Sequence, residues 1–143
     1  MRLRMKKFFF PVLALATACL VPTPARADDD SPLAKQMEVL NDAYKAFRRE
    51  DDAGKGATLA REAQEAVLKA IPMLPAMVEE MPDGAAKSKA VANYRLQMGQ
   101  LFASLCEVEV AFVNGEVEKV AEIVKTLKSQ KKEGHNQFME DED

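Results

Sequence analysis

Seven apolar residues, Val91, Tyr94, Met98, Leu101, Leu105, Val108 and Phe112, recur through six successive intervals of three and four. Only an α-helix brings such positions onto one face, because its turn of 3.6 residues alternates those two steps. A helix with one long apolar stripe cannot stand alone in water. Its partners have to come from the rest of the chain.

Three further stretches carry the same period. Ser31-Pro32 reads as an N-cap followed by a first-turn proline, and Leu33, Met37, Leu40, Tyr44 and Phe47 then mark one face before turn residues at 50–56. Residues 57 to about 71 are rich in helix formers, with Leu59, Ala63, Ala66, Val67 and Ala70 on one side, and Pro72 and Pro75 stop or kink that helix. Met81-Pro82-Asp83-Gly84 leads into the helix of the opening stripe, and Asn114-Gly115 turns the chain into a last helix over residues 115–139. No stretch alternates with period two for long enough to make a strand. The prediction is an all-α fold, an antiparallel up-down-up-down four-helix bundle with short connections.

The first residues read as an address. Arg2, Arg4, Lys6 and Lys7 precede an apolar run at 8–21, and Ala25-Arg26-Ala27 supplies small residues where a signal peptidase cuts. Residues 1–27 are therefore expected to be a cleaved signal peptide and 28–143 a single small domain, released into a periplasm-like space. The run is too short for a comfortable membrane span, and Cys19 after Ala16-Thr17-Ala18 makes a poor lipoprotein signal. Cleavage removes five of the 20 basic residues and none of the 23 acidic ones, leaving a net charge of −8. Such a surface argues against nucleic acid and anionic lipid and favours basic partners or small molecules. Cys106 is then the one remaining cysteine, so disulfide, thiolate zinc cluster and C-x-x-C-H haem attachment are all excluded within the chain. Cys106 lies beside the main stripe and reads as a small buried hydrophobe, with an intermolecular disulfide as the alternative.

The last helix holds the only histidine. Val117, Val120, Val124, Leu127, Lys131, His135 and Phe138 share one face, so the imidazole is expected to point inward, where it needs a proton partner or a metal. Gly134 offers the opposing reading, in which the helix stops and His135 sits in a frayed acidic tail. In an up-down-up-down bundle the start of the first helix and the end of the last share one end. Met37 stands about five residues into the first and His135 about four from the end of the last, equal depths at ~1.5 Å per residue. A thioether and an imidazole at one depth suit the two faces of a haem. Leu33, Leu40, Leu74, Val91, Tyr94 and Phe138, with Met77, collect at the same end as candidate pocket walls, though each taken singly reads as ordinary core.

These residues also carry a resemblance. Leu33-Ala34-Lys35-Gln36-Met37-Glu38-Val39-Leu40-Asn41-Asp42, with Lys45 beyond, resembles the opening of the soluble periplasmic cytochrome b562 family, L-x-x-x-M-x-x-L-N-D. Residues 115–135, with Val117, Leu127 and Lys128, match its last helix without a gap, and Met98-Gly99-Gln100-Leu101 resembles a V-G-Q-I stretch of its third. That family is itself a standard example of the up-down-up-down bundle. The resemblance implies a non-covalent haem b with Met37 and His135 as axial ligands, Tyr94 where the family has a pocket phenylalanine, and one-electron transfer in the periplasm. Where the family can have an arginine pairing with a haem propionate this chain has Lys131, which keeps the charge and loses the bidentate fork.

The function expected is that of an electron carrier and not an enzyme, with no acid, base or nucleophile to seek. A monomer is expected, meeting a transient basic redox partner that the acidic residues 140–143 steer toward the haem edge; the plainer reading of that tail is a solvated terminus. Two alternatives remain open. One is a Cu(I) binder using Met73, Met77 and Met81, which recur every four residues among helix-breaking prolines. The other is a cofactor-free helical module that binds partners through its surface.

Overall fold

The computed structural model describes residues 30–139, so the signal peptide expected at 1–27 and the acidic tail at 140–143 lie outside the described residues. Among the described residues the chain is all-α, a helical bundle of four long helices and one short one: α1 (Pro32–Phe47), α2 (Ala53–Ala70), α3 (Ala76–Glu79), α4 (Ala85–Val113) and α5 (Val117–Phe138). The short α3 was not expected. It forms in the segment after Pro72, where Val78 turns into the core and is almost completely buried.

Local signals set the helix ends. The Ser31 hydroxyl accepts the Ala34 amide at 3.0 Å and Pro32 occupies the first turn of α1. The turn expected over 50–56 is shorter in the structure, because the Asp52 carboxylate accepts the Lys55 amide at 2.8 Å and starts α2 at Ala53. Gly54 and Gly56 therefore lie inside the helix. For Gly56 the reason is packing, since a Cβ there would sit 2.3 Å from the ring of Phe112. α4 ends in a Schellman motif, with the Glu116 amide bonded to the Ala111 carbonyl and the Gly115 amide to the Phe112 carbonyl. Gly115 takes φ 71°, a left-handed conformation that glycine adopts without strain.

Buried Ala57, Ala60, Ala63, Ala66, Val67 and Ala70 make α2 a ridge of small side chains, which lets the flanking helices approach closely. Phe47, Leu105, Val108 and Phe112 fill the centre, and Val120, Ile123 and Leu127 close it from α5. Cross-contacts fix the directions. Arg61 pairs with Glu109, Gln64 donates to the Leu105 carbonyl, and the Tyr94 hydroxyl donates to the Ala70 carbonyl, so α2 and α4 run antiparallel. Between α4 and α5, Gln130 donates to Ser104, Gln97 to Gln137, and Tyr94 meets Phe138, again antiparallel. α1 packs along α2, α2 along α4 and α4 along α5, whereas α1 and α5 lack that close backbone approach. One seam of the bundle is thus left wide.

Candidate haem site

Beyond Leu127 the inner face of α5 stops being apolar: Gln130, Lys131, Gly134 and His135 follow before Phe138 restores a hydrophobe. With no bulky side chain there to draw α1 inward, the seam between the two helices is spanned by a polar contact. Lys131 Nζ donates to Asn41 Oδ1 at 3.0 Å. Met37 stands four residues from Asn41 and His135 four residues from Lys131, one helical turn from the bridge in each case.

The helix does not stop at Gly134. α5 continues to Phe138, and the Met139 amide still bonds the His135 carbonyl at 3.0 Å. His135 is nonetheless exposed and not buried as its place on the stripe suggested, because the wide seam leaves it without a covering helix. Partial burial first, and the Lys131 ammonium second, hold its pKa below the usual histidine value. The neutral ring, with a free nitrogen lone pair, is the form favoured at neutral pH.

Apolar residues from several segments collect around this end. Leu33, Met37 and Leu40 of α1, Leu74 from the segment after α2, and Phe138 of α5 are half-buried and packed on the core, and Val91 of α4 is half-buried one turn before Tyr94. Deeper in the bundle the same faces are sealed, as Ala43, Phe47 and Leu105 are. Tyr94 alone of this group is buried. Its ring meets Phe138 edge to face at a centroid distance of 5.5 Å and its hydroxyl donates to the Ala70 carbonyl at 3.0 Å. Burial raises its pKa to about 12, which keeps the phenol protonated.

Half-buried hydrophobes beside an open seam, with a thioether and a neutral imidazole one turn from a shared bridge, form a donor set and wall chemistry that fit a haem. The methionine series of the copper alternative finds no common helix, since Met73 lies in the turn after α2, Met77 in α3 and Met81 past its end. Among the described residues no group of His, Cys, Asp and Glu gathers as a metal cluster. Lys131, taken from the resemblance as a propionate partner, is exposed and bonded to Asn41. Asn41 itself escaped the sequence reading as a site residue, although its offset from Met37 equals that of Lys131 from His135. The Gln97–Gln137 hydrogen bond between α4 and α5 likewise carried no periodic signal.

No curated protein matches the chain. The family model for cytochrome b562 matches residues 32–139, from the first residue of α1 to the residue after α5. The matched span takes in every described helix, and the chain belongs to the cytochrome b562 family.

Proposed function

We propose that this protein is a periplasmic electron carrier that holds a non-covalent haem b between Met37 and His135. Family membership supports a b-type cytochrome, and the Asn41–Lys131 bridge is the observation that carries the assignment of ligands. With α1 antiparallel to α2 across their short connection, in an up-down-up-down order, the turn from Asn41 to Met37 and the turn from Lys131 to His135 rise toward the same end of the bundle. Both donor atoms then flank the wide seam at one depth.

A haem so held supplies a one-electron ferric–ferrous couple. The Met37 thioether would be a soft donor to that iron, one that favours the ferrous state and raises the potential. His135 offers its lone pair without first losing a proton, because burial and Lys131 already disfavour the imidazolium. Tyr94 is held protonated and engaged with Ala70, so it does not compete as a phenolate. Leu33, Leu40, Leu74, Val91 and Phe138 would keep water and small ligands from the metal, and Lys131, bonded to Asn41 here, would pair with a propionate. Export rests on residues 1–27, and the acidic balance of the remaining chain suits a transient basic redox partner.

The test is titration of the purified protein with haemin. One equivalent gives a sharp Soret band and, on reduction, the split bands of low-spin six-coordinate iron. A broad spectrum like that of free haemin at equimolar protein removes the reading.

A further inference from the structure

α4 carries two apolar seams, and the bundle uses only one. On the face opposite its core residues lie Ala92, Leu96, Gly99, Ala103, Cys106, Val110 and Val113, spaced by alternating steps of four and three. Leu96, Val110 and Val113 are 60%, 54% and 67% exposed, and a Cβ added at Gly99 would meet nothing within 4 Å. Cys106, read from sequence as a buried hydrophobe, is only half-buried on this outer seam. A strict 3.5-residue repeat is the spacing of helices that pack as knobs into holes, and it has no use on a solvated surface.

Charge along the helix identifies the occupant. α4 bears Lys87, Lys89 and Arg95 in its first half and Glu107 and Glu109 in its second, with no charged residue between Arg95 and Glu107. A parallel copy would set like charge against like. An antiparallel copy sets Lys89 and Arg95 of each chain beside Glu107 and Glu109 of the other, at both ends of the contact. We infer that the outer face of α4 is a self-association surface on which a second copy of this chain docks antiparallel, in place of the monomer expected from sequence.

The layers of that pairing follow from the repeat. Gly99 meets Ala103 of the second copy near the two-fold axis, where the lack of bulk lets the backbones approach. Leu96 meets Cys106 and Ala92 meets Val110 on either side. An open groove lined by Cys106, Glu107, Val110 and Lys119 already lies where Leu96 of the second copy would insert. Glu109 remains bonded to Arg61 while it faces Arg95 of the other chain.

Sedimentation of the purified protein over a range of concentrations tests the surface, and cysteine cross-linking tests the direction. The wild type is expected to show a concentration-dependent dimer that Leu96→Asp abolishes with helicity unchanged. Under mild oxidation Leu96→Cys is expected to give a covalent dimer through Cys106. Neither wild type nor Leu96→Cys combined with Cys106→Ser should do so, because identical positions lie about ten residues apart, roughly 15 Å, in the antiparallel pair. A monomer at every concentration overturns the surface. Rapid Cys106–Cys106 linkage in the wild type, or a dimer that survives Leu96→Asp, overturns the antiparallel α4 contact.

Discussion

Lys131 of α5 donates to Asn41 of α1 at 3.0 Å, across the one pair of neighbouring long helices whose backbones do not approach closely. An exposed hydrogen bond of this kind contributes about 0.5–1.5 kcal/mol at most, so it does not hold the bundle shut. Its value is as a register mark for Met37 and His135, the two proposed ligands, and it also occupies the lysine that a haem would draw away.

That double role separates two substitutions. Asn41→Ala is expected to leave haem affinity nearly unchanged, while Lys131→Ala weakens it by roughly two- to fivefold at low salt and less at high salt, as an exposed charge contact does. Haem transfer to an acceptor protein, followed at two ionic strengths, measures both. Equal effects of the two substitutions, with no salt dependence, would remove Lys131 from the haem contact.

Gly56 is required by the Phe112 ring. A Cβ 2.3 Å from a fully buried aromatic cannot be accommodated without moving the ring, and overpacking of this kind costs about 1–3 kcal/mol. Urea unfolding of Gly56→Ala should show a lower midpoint with an unchanged slope. An unaltered midpoint means that α2 and α4 are not so closely apposed.

Gly134 is the opposite case. Its Cβ position lies 3.5 Å from Gln97 Oε1, an ordinary contact, and the residue sits inside α5. Gly134→Ala should stabilise the protein by up to about 1 kcal/mol and slow haem loss, because alanine loses less backbone freedom on entering the helix beside the ligand. Thermal unfolding and haem-transfer rates check it, and a destabilised variant would mean that the last turns of α5 are not helical.

Tyr94 gives a pH dependence with a definite sign. Its folded pKa of about 12 exceeds the ordinary 10, so the folded state holds the phenolic proton more tightly. The resulting stability is complete below pH 10 and is lost as pH rises toward 12. Tyr94→Phe forfeits the hydrogen bond to Ala70 and costs about 1 kcal/mol at pH 8, and the gap from wild type narrows between pH 10 and 12. Urea midpoints at pH 8, 10 and 11.5 follow it. A constant gap would mean that the hydroxyl is not buried.

The all-α bundle was legible because its signals are local. The stripe from Val91 to Phe112 became the core face of α4, the Ser31 and Asn114-Gly115 signals became helix ends, and Pro72 stopped α2. The short α3 was missed because four residues hold too little periodicity, and α2 began early because Asp52 overrode the glycines behind it. The exposure of His135 was not legible from α5 alone, since it depends on how far α1 stands away. The outer seam of α4 is spaced as regularly as the inner one, but Gly99, Ala103 and Cys106 are small, and small residues give a weak hydrophobic signal.

The most direct measurement of the central claim is the spectrum of the haem-loaded protein, oxidised and reduced, for wild type, Met37→Ala and His135→Ala. Ligation by Met37 and His135 requires six-coordinate low-spin iron in the wild type, a five-coordinate iron of lower potential in Met37→Ala, and a larger loss of haem retention in His135→Ala. A His135→Ala spectrum identical to that of the wild type would contradict it.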